Sequence, residues 1–501
     1  MKLIVTEDKK FLRIAQADEN ELEQLEFSMK KRIRGWFFNP LVKKKIWDGY
    51  VYFCKNNFIP IGLWSEVMKL GETYSFPVEI EGLDRIVDVN FDEEDFKKWV
   101  SEFFEGKTYQ PRDYQIDSAS AILKHRLCTS EIATSAGKTL ITFLVYGYLK
   151  ARGKMRKMLV IVPNTTLVMQ MKDDWEEYNE EALDLKIRQV YGGAKDNDPT
   201  ADVVVGTFQS LSKKSLDYFK GIDVVFVDEA HQTKTTSIKN IIGKCKDSDY
   251  RFGLSGTVQE DTSADFTTIV ALLGPMVKSI PPKFLFKEGY ATPVKFKIMV
   301  LQYENEELKE KLYNVRRGKQ MEGSQILALE KNVVVQHRGR FNFIMNLINK
   351  TTKNTLVLFS NVKDQYGKRM HDWLKENTDK VTFYVDGSVS KEHRDYYKKE
   401  MENGENRVLI ASFTTFSTGI SIKNIHNIIF VESYKSEIIV KQSIGRGMRQ
   451  IAGKESFSII DIVDDLSYEK NANYLYKHGK ARLEFYKHYS TDIKIHKIPL
   501  K

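Results

Sequence analysis

From about residue 125 onward, short apolar runs rich in β-branched residues alternate with segments of helical spacing. LVIVP (159–163), DVVVGT (202–207), DVVFVDE (223–229) and RFGLSGT (251–257) are continuous apolar runs ending in a turn or a polar residue. A parallel sheet covered on both faces requires that pattern. The stretches between the runs are long enough for crossover helices. The rhythm restarts after residue 350 in NTLVLFS (354–360), VTFYVDG (381–387), NRVLIAS (406–412), NIIFVES (427–433) and SFSIIDIV (456–463). The pattern predicts an α/β protein with two tandem doubly wound parallel sheets and a boundary between about 275 and 300. Residues 1–105 lack the rhythm and predict a small α+β domain. The expected organisation is an accessory domain at 1–105, α/β units at 106–280 and 281–465, and a terminal helix with a basic tail at 466–501.

Composition narrows the class. A chain of 501 residues is too long for one core, and 42% hydrophobic with 29% charged residues describes a globular protein. No apolar stretch approaches the ~20 residues of a bilayer span, and the apolar run in MKLIVTEDKK is too short for a secretory signal. Cys54, Cys128 and Cys245 are scattered, which fits neither a disulfide framework nor a zinc site and suits a reducing cytoplasm. A net charge of +9 permits an anionic partner. That charge is uneven. Residues 29–47 carry seven Lys/Arg and no acid, and residues 467–501 carry eight Lys/Arg against three acids.

The basic window interleaves Lys30, Lys31, Arg32, Arg34, Lys43, Lys44 and Lys45 with Trp36, Phe37, Phe38 and Trp47. The cations are candidates for nucleic-acid phosphate, which they would hold without reading sequence. The aromatics could stack on unpaired bases, but at least two of the four are expected in a core, where aromatics usually lie. The acidic run 92–95 is expected to start a helix rather than hold a metal. His478, His488 and His496 have no ligand spacing and are expected in a solvated tail.

ATSAGKT (133–139) follows a strand-like run and precedes an apolar helical segment. Gly137 lets backbone N–H groups approach phosphate, Lys138 can reach the β/γ-phosphates, and Thr139 can ligate Mg²⁺. The usual pattern has Gly at position 132, where this chain has Ile132. Taken alone, GKT also describes an ordinary helix N-terminus. A second signal changes that balance: Asp228-Glu229-Ala230-His231 closes a hydrophobic strand, where a parallel sheet places its ligand chemistry. Asp228 can hold Mg²⁺ and Glu229 can deprotonate the attacking water. If SEIIVKQSIGRGMR is helical, Arg446 and Arg449 are i,i+3 and share a face. Two such guanidiniums could neutralise charge developing on a γ-phosphoryl group.

In this order the motifs resemble those of the superfamily 2 DEAH-box helicases and translocases, across about residues 109–465. PRDYQ (111–115) resembles the adenine-reading segment, with Arg112 and Gln115 as contacts. IVPNTTLVMQ (161–170), VVGTFQSL (204–211), VLFSN (357–361) and FSTGIS (416–421) resemble strand- and nucleotide-contacting motifs, which implies Thr165, Thr207, Ser360 and Thr418 on nucleic acid and Gly419 on the nucleotide. LSGT (254–257) resembles the motif coupling hydrolysis to strand movement, and QSIGRGMRQ (442–450) the arginine-finger motif. The resemblance thus implies coupling roles for His231, Ser255, Thr257 and Gln442. TSAGK, the GIS of FSTGIS, DEAH, and the N-terminal order Asn39-Pro40, Trp47-Asp48-Gly49 and IPIGL (59–63) are similar to the UvsW-type recombination helicases of tailed phages, with RecG- and XPB-type motors more distant. Ser135 and Ser421 depart from the wider superfamily, and the phage family shares both.

This resemblance implies an ATP- and Mg²⁺-dependent DNA helicase that remodels branched DNA. Its activities would be fork regression, Holliday-junction migration and R-loop or D-loop unwinding in recombination, repair and replication. The implied partner is DNA at branches or duplex/single-strand junctions, with RNA–DNA hybrids as further candidates. A monomer in the cytoplasm is expected, the host's if the chain is phage-encoded, with no membrane association. An RNA helicase of the DEAH type uses the same ATP motifs and is the second reading. A module using ATP only as a switch would lack the water-activating carboxylate or the arginines, and this chain has Glu229, Arg446 and Arg449.

Overall fold

The computed structural model describes the chain except residues 34, 134–135, 195–197, 231–234, 257–263, 319–320, 361, 363, 414, 417–421, 434–439, 441–442, 446, 449–450, 452, 491 and 501, and the side chain of Thr235. The N-terminal region folds first along the chain. β1 (Lys2–Val5), β2 (Phe11–Gln16), β5 (Phe58–Pro60) and β6 (Glu79–Glu81) form a four-stranded sheet in the order β5-β2-β1-β6, while β3 (Lys30–Arg32) and β4 (Tyr50–Tyr52) pair antiparallel beside it. The core of this small sheet is shared. Leu3, Leu12, Ile59 and Leu63 cluster with Leu127, Val270 and Ala271 of the following α/β unit. Gly62 marks the closest approach, because a Cβ there would stand 2.1 Å from the Val270 carbonyl oxygen and 2.8 Å from that of Ala271. Neither atom can swing away, so Gly62→Ala is expected to destabilise the chain by about 1–3 kcal/mol. A lower urea midpoint, with the docked sheet unfolding first in hydrogen exchange, would report it.

One expectation for this region changes. None of Trp36, Phe37, Phe38 and Trp47 is buried: Phe37 is 53% exposed and Phe38 70%. They lie on an excursion of 17 residues between two three-residue strands, which has too little apolar mass to enclose its own core. The acidic run does start a helix. The Asp92 side chain accepts from the N–H groups of Glu94 and Asp95, capping Glu93–Phe104. That helix packs on the α/β unit: Asp95 pairs with Arg152 and accepts from the Tyr148 hydroxyl at 2.8 Å.

The chain divides into two units, Met1–Pro281 and Pro282–Lys501. The first holds a seven-stranded sheet of β7 (Leu127–Ile132), β8 (Met158–Val162), β9 (Ile187–Val190), β10 (Val203–Thr207), β11 (Val224–Asp228), β12 (Tyr250–Ser255) and β13 (Met276–Ile280). All pairings are parallel, in the order β13-β7-β12-β11-β8-β10-β9. The central strands are buried along their whole length, as the continuous apolar runs predict. Edge strands β9 and β13 are only part-buried, so their sequences carry no such run.

The second unit repeats the plan with β14 (Val294–Tyr303), β15 (Thr355–Phe359), β16 (Thr382–Val385), β17 (Val408–Ser412), β18 (Asn427–Phe430), β19 (Phe457–Asp465) and β20 (Ile493–Leu500), ordered β16-β17-β15-β18-β19-β14-β20 and again all parallel. The C-terminal segment is therefore not a solvated tail. β20 pairs with β14 from Ile493↔Phe296 to Leu500↔Tyr303, and His496 sits within it. The helix Tyr474–Tyr486 is built into the unit by buried Glu330, whose carboxylate accepts from the N–H groups of Tyr474 and Leu475 at 3.2 and 3.0 Å. From the same helix, buried Arg482 pairs with Asp461 and donates to the Ser433 hydroxyl at 3.0 Å. Fully buried Arg340 pairs with Asp464 and donates to the Val431 carbonyl at 2.6 Å. Charges this deep persist only when paired and hydrogen-bonded, as these are.

Candidate nucleotide and nucleic-acid site

The loop after β7 enters the helix Lys138–Ala151, whose residues Leu140 to Leu149 are all buried. Gly137 caps that helix at φ +79°, in the left-handed region. A Cβ at Gly137 would stand 2.2 Å from Nε2 of Gln115. Gln115 itself is buried. Its amide donates to the Ala136 carbonyl at 3.0 Å and its Oε1 accepts from the Arg112 N–H at 2.9 Å, while the Tyr114 hydroxyl donates to the same Ala136 carbonyl at 2.9 Å. PRDYQ thus braces the loop as well as lying beside it. These two bonds use one N–H and one lone pair of the Gln115 amide, which has a second of each. Ile132, where glycine is usual, ends β7 as a fully buried strand residue, so the loop starts after it.

β12 lies between β7 and β11, so three loops meet at adjacent strand tips. Asp228 ends β11 and is buried, and Glu229 follows at φ +48°, a strained conformation for a non-glycine residue. The Glu229 N–H donates to Asp228 Oδ1 at 3.0 Å. Lys138 Nζ donates to Glu229 Oε1 and lies 4.0 Å from Asp228 Oδ1. From the β12 tip, the Gly256 N–H reaches Glu229 Oε2 at 3.5 Å. Burial raises the Asp228 carboxyl to about 6; Lys138 opposes that rise and Glu229 adds to it. Burial pulls the Lys138 ammonium down, but Glu229 and Asp228 outweigh it, and the net shift is upward. The Lys138 ammonium and the Glu229 carboxylate therefore neutralise each other.

Thr139 lies on the first turn of the helix and Asp228 at the end of β11, and each carries a side-chain oxygen. Among the described residues no cluster of three or more His, Cys, Asp or Glu could hold a metal. Such a sparse oxygen set fits Mg²⁺, which keeps waters and takes one or two protein ligands plus substrate phosphates.

Thr165 begins the helix Thr165–Asn179 after β8, and Thr207 ends the neighbouring strand β10. The Asn164 side chain caps that helix through the Leu167 N–H at 3.0 Å. Thr207 pairs in register with Val162, so the two predicted strand-contacting threonines share one stretch of sheet edge. Ser255 ends β12, fully buried. In the second unit, Ser360 follows β15, and its N–H and hydroxyl both donate to Glu432, a buried carboxylate just beyond β18. Nothing in the sequence singled out Glu432; a carboxylate directly after the apolar run NIIFV is the one signal that could have. On the N-terminal excursion, Arg32 lies over Trp36 at 4.0 Å and over Tyr50 at 4.6 Å, and Lys30 lies over Phe27 at 4.7 Å. Lys43, Lys44 and Lys45 are exposed. Arg34, Ser135, His231, Thr257, Thr418, Gly419, Ser421, Gln442, Arg446 and Arg449 lie outside the described residues.

Residues 108–260, which carry the Lys138–Glu229 site, match the family model of the type III restriction enzyme res subunit, and residues 339–450 match the helicase conserved C-terminal domain. Over 476 residues the chain is 32% identical to the ATP-dependent DNA helicase uvsW of Enterobacteria phage T4, covering 90% of each chain. The chain belongs to the UvsW family. It is a superfamily 2 helicase that hydrolyses ATP, as the paired sheets and the motif order led us to expect. The solved structure of T4 UvsW aligns with all of this chain and 99% of its own at 28% identity, with a TM-score of 0.50. The DNA 3'-5' translocase XPB2 of Sulfurisphaera tokodaii is 23% identical over 382 residues, covering 70% of this chain and 81% of its own. No helix among the described residues is long and apolar enough to cross a membrane.

Proposed function

We propose that this UvsW-family chain acts on branched DNA, regressing forks, migrating Holliday junctions and unwinding R-loops or D-loops, as a monomer with ATP and Mg²⁺. The observation that carries the branched-DNA reading is the excursion between β3 and β4. It displays exposed Phe37 and Phe38, with ring centroids 4.3 Å apart, beside the exposed Lys43–Lys45 run in a window that has no acid. Cations there hold duplex phosphates, and exposed rings offer a stacking platform where bases become unpaired.

In this reading ATP draws Lys138 off Glu229 and onto the β/γ-phosphates. Freed of its partner, the Glu229 carboxylate takes the proton of the attacking water. Arg112 and Gln115 hold the base, Gly419 contacts the nucleotide, and the N–H groups opening the helix Lys138–Ala151 receive phosphate oxygens. Thr139 and Asp228 would hold Mg²⁺, which neutralises phosphate charge when bound. Arg446 and Arg449 stabilise the transferring phosphoryl group. Thr165, Thr207, Ser360 and Thr418 grip the strand, and His231, Ser255, Thr257 and Gln442 pass the state of the nucleotide to it.

The test compares ATPase stimulation by a four-way DNA junction, duplex DNA, single-stranded DNA and duplex RNA. The junction is expected to stimulate most; strongest stimulation by duplex RNA would replace this reading with that of an RNA helicase. Replacing Lys43, Lys44 and Lys45 together by Ala is expected to weaken junction binding and flatten the slope of log K against log salt by up to about 0.9 per lost phosphate contact. An unchanged slope in a folded triple variant would move the duplex grip away from this excursion.

A further inference from the structure

The tips of β15 and β18 stand side by side. The strands pair in register up to Leu358↔Phe430, and the Val431 N–H donates onward to the Leu358 carbonyl at 3.2 Å. Ser360 and Glu432 are therefore neighbours just past the sheet, and Glu432 is only 4% exposed. The Ser360 N–H donates to Glu432 Oε2 at 3.2 Å, and the Ser360 hydroxyl donates to the same oxygen. A serine has one hydroxyl proton and one backbone N–H. One carboxylate oxygen thus takes both donors of Ser360. The frame around the pair is fixed. Fully buried Arg340 donates to the Val431 carbonyl at 2.6 Å and to the Tyr366 hydroxyl at 2.8 Å. Tyr366 opens the helix Tyr366–Asn377, and a Cβ on the next residue, Gly367, would stand 2.3 Å from Phe359 Cε1. One buried guanidinium therefore holds both the residue before Glu432 and the helix start that follows Ser360.

A phosphate diester oxygen accepts hydrogen bonds and has none to donate. With its hydroxyl on Glu432, Ser360 offers such an oxygen only lone pairs. We propose that Glu432 competes with strand phosphate for Ser360, so that the hydroxyl grips DNA by exchange, leaving one anionic acceptor for another. Rotation about the Ser360 side chain is enough for this, and the Ser360 N–H can stay on the carboxylate. The anchored strand ends need not move. The net gain of the contact is the difference between two charge-assisted bonds, each strong by itself. Such a grip adds little affinity, which suits a motor that must release the strand after each step. The inference rests on the proposed role of Ser360 as a strand contact.

Anisotropy of a fluorescently labelled single-stranded DNA of mixed sequence, measured with the full chain and without nucleotide, gives Kd for four proteins: wild type, Glu432→Gln, Ser360→Ala and the double variant. Glu432→Gln keeps the shape and leaves a neutral acceptor. It is expected to tighten binding about 3–10-fold, the gap between a charged and a neutral acceptor. Ser360→Ala alone is expected to change Kd by about twofold or less, because the serine only trades one charged acceptor for another. In the Ser360→Ala background, Glu432→Gln is expected to change nothing, because no hydroxyl is left to compete for. Equal tightening in both backgrounds would overturn the proposal, since loss of a negative charge near the strand then accounts for it. Unchanged or weaker binding by a folded Glu432→Gln would also overturn it. In that case a marked loss of affinity in Ser360→Ala would keep Ser360 on the strand and discard only the exchange. Two silent substitutions would instead remove Ser360 from the strand altogether. Should Glu432→Gln not fold, Glu432→Ala, which removes the acceptor entirely, is judged by the same four-way comparison.

Discussion

Glu229→Gln is expected to lower kcat by about 10²–10⁴-fold while leaving ATP binding intact or tighter. The amide cannot accept a proton from the attacking water, so the chemical step loses its base. Binding gains for a reason particular to this site. Lys138 is held by the Glu229 carboxylate, and in the proposed reading ATP breaks that buried pair before its phosphates receive the ammonium. Glutamine keeps the shape and removes the competing charge. The backbone at 229 sits at φ +48° in either case, so glutamine adds no conformational cost of its own. Single-turnover hydrolysis and fluorescent-nucleotide titration separate the two effects. Near-normal turnover would remove Glu229 from the catalytic role; markedly weaker ATP binding would mean that the carboxylate supports the nucleotide instead of competing for Lys138.

Arg446→Ala and Arg449→Ala are each expected to lower kcat by about 10³–10⁵-fold, the range for arginines that act on phosphoryl-transfer charge. ATP affinity should change far less, because the interaction strengthens only as charge develops. Lysine at either position is not expected to rescue, since a point charge lacks the planar fork that meets two phosphoryl oxygens. The measurement is kcat and KM for ATP at saturating DNA for each variant. Both arginines and Gly419 belong to the second unit, and the other proposed ATP residues to the first. If both variants keep wild-type kcat, the arginine reading fails.

The candidate nucleotide site stood out in the sequence because each part of it is local. A Gly-Lys-Thr between a strand and a helix, and two acids ending an apolar strand, announce phosphate and metal chemistry through a few neighbouring residues. The central strands were legible for the same reason: a strand buried on both faces is apolar along nearly its whole length, as Val224–Val227 and Leu356–Phe359 show. Strands β9, β13, β14 and β20 escaped because they carry polar residues on part-buried faces. Lys295 and Lys297 in β14 and Lys494, His496 and Lys497 in β20 read as solvated chain until their partners are known. The basic C-terminal segment is a structural strand for that reason, despite a composition suggesting a tail.

By itself the sequence determined the architecture of two parallel sheets, the class of ATP-hydrolysing helicase and the family to which the chain belongs. Only the tertiary structure decided who faces whom. That Lys138 meets Glu229 across 91 residues depends on β12 running between β7 and β11, and no local pattern encodes strand order. Glu432 under Ser360, Arg340 on Asp464, Glu330 at the start of the last helix and Lys454 beneath Gly447 are likewise pairs of buried polar groups. Each such residue looks like an ordinary surface charge in the sequence, because burial is a property of the folded neighbourhood. Phe37 and Phe38 show the converse: they read as core, and the fold leaves them in solvent because nothing in a 17-residue excursion is large enough to cover them.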